Sequence, residues 1–305
     1  MQIVITGANG FVGSNISQAL SARGHDCIAV DLPTIPPKGV YSARYSWEEL
    51  PALRAKLAGT DYGLIHLAGK AHDTKNTSDP AAYDRINCGL TRRILEELAP
   101  AVFILFSSVK ACADRVDGIL TEATQPNPKT PYGISKLKAE AVVTEKAPPR
   151  YYLLRPAMIH GPGNKGNLNL LYKVARMGIP WPLGAYENTR SFCSIANVSF
   201  LLNELLRIRP ESGVYQIADD RPVSTNALIR LINPHAWIVS IPKGLVAGIA
   251  RIGDAIRLPL NSERLKKLTE SYVVSNAKIK TTLGIETLPV SAEDGLRETI
   301  GSFTR

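Results

Sequence analysis

The chain has 305 residues, 45% hydrophobic and 21% charged, a balance that excludes disordered, collagenous and low-complexity classes and allows one or two domains with a large core. Its net charge of +9 invites a nucleic-acid partner. No dense basic run with interleaved aromatics is present, so that partner is excluded and the surplus is read as dispersed surface charge plus groups that meet an anionic substrate.

Gln2-Ile3-Val4-Ile5-Thr6 is a short apolar, β-branched run and predicts a strand. Gly7-Ala8-Asn9-Gly10-Phe11-Val12-Gly13 predicts a tight turn, followed by a helix to about Ala22 with Gly24 at its C-cap. A second strand, Cys27 to Val30, ends in Asp31. Strand, glycine-rich turn, helix, strand and acid suit a dinucleotide. The glycines let backbone approach a pyrophosphate, and the helix N-terminus faces the phosphates with N–H groups and positive dipole. Asp31 can accept from both ribose hydroxyls and repels a 2′-phosphate, which favours NAD(H) over NADP(H). The glycine spacing is GxxGxxG, a loose fit to the generic fingerprint, so strand context and Asp31 carry the reading.

Tyr62 to Leu67 predicts a buried strand ending at Ala68-Gly69. Asp79-Pro80 reads as an N-cap and a helix-start proline for a helix running to about Ala99. Val102 to Phe106 is the next strand, ending in Ser107-Ser108. Pro131-Tyr132-Gly133-Ile134-Ser135-Lys136 opens a helix that stops before Pro148-Pro149 and sets Tyr132 and Lys136 on one face. A free tyrosine ionises near pH ~10. A neighbouring ammonium is expected to pull Tyr132 down toward neutral pH and make the pair a proton-transfer device. Tyr151 to Leu154 is a further strand, closed by Arg155-Pro156. This alternation predicts an α/β fold, a doubly wound parallel sheet of Rossmann type, with ligands at the carboxyl ends of the strands.

After Pro156 the texture changes, with glycine, proline and asparagine concentrated between Gly161 and Asn188. The expected division is 1–160 plus about 191–220 as the cofactor domain, including a helix near 197–208 and a strand near 213–218 that return to the large sheet. About 161–190 plus 221–305 would form a smaller mixed α/β substrate domain. Ile241 to Leu260 is apolar and glycine-bearing, with Arg251 and Arg257. It could rest on a membrane surface, but a helix packed in the small domain is the preferred reading because Asp254 interrupts any basic face.

No apolar run approaches the roughly 20 residues needed to span a bilayer, and the N-terminus enters a strand without a signal-peptide layout. The four cysteines, Cys27, Cys88, Cys112 and Cys193, lack metal-ligand spacing and suit free thiols in a reducing cytoplasm. No histidine pair has metal spacing, so no metal is expected.

Together these residues resemble the extended short-chain dehydrogenase/reductase family, specifically its sugar-nucleotide epimerases, dehydratases and ketoreductases. The resemblance rests on Thr6 to Gly13, Asp31, His66-Leu67-Ala68, Asn87, Ser107-Ser108, Tyr132 with Lys136, and Arg155-Pro156 with Gly161-Pro162-Gly163. It implies Tyr132 as acid–base, Ser108 polarising the reacting oxygen and Lys136 holding the nicotinamide ribose. Ser107 is set aside, because the family's serine or threonine is the second of the pair. It also implies a cofactor site formed by Gly7, Asn9, Gly10, Phe11, Val12, Gly13, Asp31, Leu67, Ala68, Gly69, Asn87, Tyr132, Lys136 and Pro156. For Asn87 the bland reading is a structural hydrogen bond.

Shorter segments are similar to bacterial polysaccharide enzymes acting on UDP-linked N-acetyl-6-deoxyhexoses. They are Phe106 to Lys110, Gly161 to Asn167, Trp181 to Gly184 and Asn188 to Ser191. This resemblance implies a UDP-4-keto-6-deoxy-N-acetylhexosamine 4-ketoreductase, a cytoplasmic homodimer in surface polysaccharide biosynthesis that pairs through helices near 80–99 and 132–147. The related dehydratases carry Asp-Glu directly after the catalytic serine or threonine; here those positions are Val109 and Lys110, which argues against a dehydratase. Met158 stands where many 4-epimerases have asparagine, which mildly favours the ketoreductase over a 4-epimerase with tightly bound NAD. A third alternative is a nucleotide-sensing protein without catalysis.

Arg190 and Asn167 match family positions that contact the diphosphate, and Arg264 is a third candidate that Lys267 could replace. Lys110 could donate to a substrate oxygen, against an exposed or ion-paired lysine. His72 could face the substrate, although a lone histidine is more often a surface or core residue.

Overall fold

The computed structural model describes residues 1–305 apart from 37, 71–78, 165–166, 257–260 and 305. His72 lies outside the described residues. Of Asn167 only the backbone, at the start of a helix, is described.

In chain order, β1 (Gln2–Thr6), α1 (Phe11–Ser21) and β2 (Asp26–Val30) form the first unit, as expected. Two elements add to the predicted set: β3 (Ala43–Tyr45) and α2 (Leu50–Leu57), whose Leu50, Leu53 and Leu57 recur at helical spacing and are buried. β4 (Tyr62–His66) follows. Asp79 then caps α3 (Pro80–Tyr83), its side chain accepting from Ala81 N at 3.0 Å.

The single helix expected to about Ala99 is interrupted. A π turn at Asp84–Cys88 separates α3 from α4 (Gly89–Glu97). Single-turn π segments accommodate an extra residue, and this one carries Asn87, which is buried and bonded across the site. β5 (Val102–Phe106), β6 (Ile119–Leu120), α5 (Pro131–Lys146), β7 (Tyr151–Pro156), β8 (Met158–His160) and α6 (Asn167–Arg176) come next. They are followed by β9 (Thr189–Arg190), β10 (Phe192–Ser194), α7 (Ile195–Ile208) and β11 (Gly213–Ile217). The chain continues with β12 (Val223–Ser224), α8 (Thr225–Ile232), α9 (Lys243–Ile256) and α10 (Ser262–Thr269). It ends with β13 (Val273–Val274), α11 (Ala277–Leu283) and α12 (Ala292–Gly301).

Seven strands make one parallel sheet in the order β11-β7-β5-β4-β1-β2-β3. From β1 the chain winds outward through β2 and β3, then returns beside β1 and winds the other way through β4, β5, β7 and β11. The reversal lies between β1 and β4, the topological switch point at which such sheets bind ligands. Alternation along each strand covers both faces. Ile3 and Ile5 pack with Ile16 and Leu20 of α1 and Val198 and Leu202 of α7. Val4 packs on the other face with Leu53 of α2, Ile94 of α4 and Val143 of α5. A third cluster joins Leu168, Trp181, Leu228, Val246, Leu265 and Leu296, drawn from α6, α8, α9, α10, α12 and the segment after α6. Among the described residues no helix is long and apolar enough to cross a membrane.

Candidate active site

The turn after β1 is pressed onto the end of β4. Gly7 has φ +64°, and a Cβ there would stand 2.8 Å from the backbone nitrogen of Ala68. At Gly13 a Cβ would meet the Ala8 carbonyl oxygen at 2.5 Å, so only glycine lets α1 start this close to its own turn. Asp31 Oδ2 accepts from Asn9 N and Oδ1 from Leu32 N, both at 2.8 Å. Beside it is a cleft of about 240 Å³ whose lining includes Asn9, Ala29, Asp31, Leu32 and Tyr45. Gly10, at the N-cap of α1, offers no side-chain cap, and the first turn carries no acid, which leaves that end suited to an anion.

Thr6 Oγ1 accepts from Ala68 N at 3.1 Å and shares a hydrogen bond with His66 Nδ1 at 2.7 Å. Burial, with the Lys136 charge acting in the same direction, pushes the His66 imidazole down to about 3, and the ring is neutral. His66 thus clamps the ends of β1 and β4 together without adding charge to the site.

On the other side of the switch point, β5 ends in the two serines, and their roles separate. Ser108 caps a short 3-10 turn at Val109–Ala111 and accepts from Lys110 N at 3.2 Å; its hydroxyl also bonds the Tyr132 side chain. Ser107 turns away and donates to Glu140 Oε1. Thr130 caps α5, and Pro131 occupies its first turn, which presents Tyr132 at the sheet edge.

The expected lowering of the Tyr132 phenol does not occur. Burial raises it first, the Ser108 hydrogen bond opposes that, and Tyr83 raises it further. Tyr83 packs edge-on against it, with ring centroids 6.1 Å apart. Lys136 is itself buried and donates from Nζ to the Phe106 carbonyl at 2.9 Å. Burial pushes this ammonium down to about 8, against the Glu140 charge. A cation stripped of water and tied to β5 disfavours its own charge, and it does not offset what burial does to the phenol.

Asn87 behaves as a structural hydrogen-bonding residue. Its Nδ2 donates to Ser135 Oγ at 2.9 Å and Lys70 O at 3.2 Å, and its Oδ1 accepts from Lys70 N at 2.7 Å. Gly69 fits closely beside it: a Cβ there would stand 2.6 Å from Asn87 Oδ1 and 3.3 Å from Lys136 Nζ. Leu67 and Ala68 continue from β4, and Pro156 closes β7 on the same edge.

Two residues join the site that were not expected there, Tyr83 and Glu140. Glu140 lies four residues after Lys136 and eight after Tyr132, so helical spacing alone places all three on one face of α5. Tyr83 has no comparable local signal, since its position depends on how α3 docks.

Among the substrate candidates, Lys110 donates from Nζ to Asp114 O at 2.8 Å and lies 4.3 Å from the Tyr272 ring centroid. Burial lowers its ammonium, with Asp114 opposing. Arg190 donates from Nε to Glu270 O at 3.0 Å, and burial lowers its guanidinium, with Glu270 opposing. Its two terminal nitrogens have no protein partner among the described residues. Arg264 is exposed on α10, and Lys267 is tied to Glu263 at 2.5 Å. Val109 is buried, and Met158 is 37% exposed on β8.

Residues 3–213 match the model of the NAD dependent epimerase/dehydratase family. The chain belongs to that family. The chain's own residues fit this cofactor: the close glycine turn and uncapped α1 start suit its phosphates, and Asp31 beside its cleft suits a ribose. Among curated relatives, UDP-glucose 4-epimerase of Vibrio cholerae is 24% identical over 99% of this chain and 95% of its own length. GDP-6-deoxy-D-mannose reductase of Pseudomonas aeruginosa is 26% identical over 83% of this chain and 85% of its own. The solved structure of MoeE5 in complex with UDP-glucuronic acid and NAD superposes with a TM-score of 0.76 at 23% identity, covering 100% of this chain and 99% of that one. The family's members are NAD-dependent oxidoreductases and epimerases, and this chain is an enzyme of that kind with NAD as its cofactor.

Proposed function

We propose that the protein reduces the C4 keto group of a UDP-4-keto-6-deoxy-N-acetylhexosamine in surface polysaccharide biosynthesis, with Ser108, Tyr132 and Lys136 as catalytic residues. The observation that carries this reading is the hydrogen bond that sets the Tyr132 phenol beside the Ser108 hydroxyl at the end of β5. A protonated phenol is ready to give its proton to an oxygen that gains negative charge. Bound NADH supplies the hydride. Ser108 polarises the C4 oxygen beside Tyr132, and Tyr132 donates the proton. Lys136, anchored on the Phe106 carbonyl, holds the ribose and restores charge balance as the phenol loses its proton.

Arg190 suits the diphosphate, because a half-buried guanidinium with unpartnered terminal nitrogens gains most from an anion that reaches it. Asn167 at the start of α6, Lys110 and Arg264 complete the proposed substrate contacts, Arg264 least strongly because it is exposed. Buried Val109 stands where a dehydratase needs a carboxylate, which speaks for reduction without loss of water. Self-association through the helices 80–99 and 132–147 belongs to the same proposal; Ile134 of α5 is an exposed apolar side chain there.

A second reading, a UDP-hexose 4-epimerase, is favoured by the end-to-end match to the Vibrio cholerae enzyme. Purified protein separates the two. The reductase consumes added NADH in proportion to product and releases its cofactor on gel filtration. Tightly retained NAD, with interconversion of UDP-hexoses in the absence of added cofactor, would establish the epimerase instead.

A further inference from the structure

We propose that the face built by α6, Trp237 and the outer side of α9 docks this protein on an anionic lipid bilayer. Nine of the fifteen large apolar side chains exposed among the described residues fall between 170 and 252, and all but Ile208 belong to α6, α9 or the segments beside them. Leu170, Val174 and Met177 follow one another at i, i+4 and i+7 along and just past α6, and Leu245, Ile249 and Ile252 do the same on α9. Each set is a stripe on one helix face.

Packing in the third core cluster does not account for these stripes. α6 buries Leu168 and Ala175 in that cluster, and α9 buries Val246 and Ala250. Each helix therefore has an apolar arc wider than its core contact covers, and the excess faces outward. The backbone pairs the segment after α6 with the segment before α9. Trp181 N donates to Trp237 O at 2.8 Å, Val239 N to Trp181 O at 2.8 Å, and Gly184 N to Val239 O at 3.0 Å. The chain leaving α6 thus runs beside the chain entering α9, and these two segments carry Ile179 and Trp237, the latter 70% exposed.

Charge decides the occupant. Lys173 and Arg176 on α6 and Lys243 and Arg251 on α9 are exposed, and none has an acidic partner among the described residues. The sole acid on either helix, Asp254, accepts from Ser262 backbone N at 3.0 Å and hydroxyl at 2.6 Å, which favour its ionised form, so one anion stands against four cations. A second copy set face to face would bring these same four cations against each other. A bilayer with acidic headgroups offers an apolar layer for the stripes, a headgroup zone for the Trp237 indole and negative charge for the cations.

The test uses the full chain and vesicle flotation. Wild type is expected to float with vesicles of phosphatidylcholine and phosphatidylglycerol, and less so in high salt. Leu245→Ser/Ile249→Ser/Ile252→Ser should lower partitioning about tenfold or more, whereas Ile208→Ser, on a different exposed surface, should not. Trp47 and Trp181 are buried, so a blue shift of the tryptophan emission on adding vesicles is assigned to Trp237; Trp237→Phe should abolish the shift without depending on the triple variant's folding. Wild type that stays in the soluble fraction with unshifted emission overturns the proposal. So does an oligomer in sedimentation that the triple variant dissolves while vesicles bind neither protein.

Discussion

Glu140 and Arg155 meet as a buried two-pronged ion pair, with Arg155 Nε on Oε1 at 2.9 Å and Nη2 on Oε2 at 2.6 Å. The pair lies under the strand end that carries both serines, and Ser107 gives its proton to the same carboxylate. Glu140 thereby ties α5, which bears Tyr132 and Lys136, to β5 and β7, and its charge offsets part of what burial does to Lys136. Removing one partner leaves the other as an uncompensated buried charge. Arg155→Met should destabilise the protein by about 3–5 kcal/mol in urea unfolding. Arg155→Met/Glu140→Leu should recover a good part of that loss. A single variant with wild-type stability would show that the pair carries no strain when broken.

Lys136 gives a pH dependence with a definite sign. Its folded-state value of about 8 lies below the ordinary lysine value of 10.5. Between these values the unfolded chain binds more protons than the folded one, so the lysine's contribution to stability rises with pH through that window. At neutral pH burial of the charge is a cost. Relative to Lys136→Met, the cofactor-free wild type should gain stability from about pH 8 to 10.5, by roughly 1–3 kcal/mol. Denaturation curves at several pH values measure the difference. A difference that stays flat across the window would mean that the ammonium is not held in the buried state described.

We propose that Asp31 sets the cofactor preference. Its carboxylate is already oriented by Asn9 N and Leu32 N at the edge of the cleft. Asp31→Ser removes the charge that repels a 2′-phosphate, and the ratio of NADPH to NADH use should rise about tenfold or more. Steady-state kinetics with the two cofactors check this, and an unchanged ratio would remove Asp31 from the ribose site.

Arg190→Met should raise KM for the sugar nucleotide by roughly 10–100-fold with a small change in kcat, as expected for a contact made equally before and during reaction. A loss confined to kcat would place Arg190 nearer the reacting centre than the diphosphate.

Much of this was legible in the sequence because it is written locally. The β1 run, the glycine turn and Asp31 lie within one unit, and the alternation of strands and helices from Gln2 to Pro156 gave the parallel sheet and its ligand edge. Ser108 is separated from Ser107 by resemblance; in the structure Ser108 bonds Tyr132 and Ser107 bonds Glu140. What could not be read was set by tertiary packing. The π turn at Asp84–Cys88 arises where Asn87 must reach Ser135 and Lys70, residues distant in sequence. The expected lowering of Tyr132 followed from its spacing to Lys136 alone; spacing says nothing of burial, and burial sets the direction for both groups. The apolar stretch from Ile241 to Leu260 was legible, with a packed helix preferred to a membrane-facing one; its periodicity does not separate the two, because one apolar arc of α9 serves both the core and the surface.

The most direct measurement is NADH oxidation by wild type and Tyr132→Phe with a UDP-4-keto-6-deoxy-N-acetylhexosamine, the product followed by NMR. The account predicts that wild type consumes one NADH for each C4 hydroxyl formed. It predicts that Tyr132→Phe loses roughly 10²–10⁴ in kcat while binding substrate nearly as well. Equal turnover by the two proteins, or no NADH consumption by wild type on any 4-keto sugar nucleotide, would contradict it.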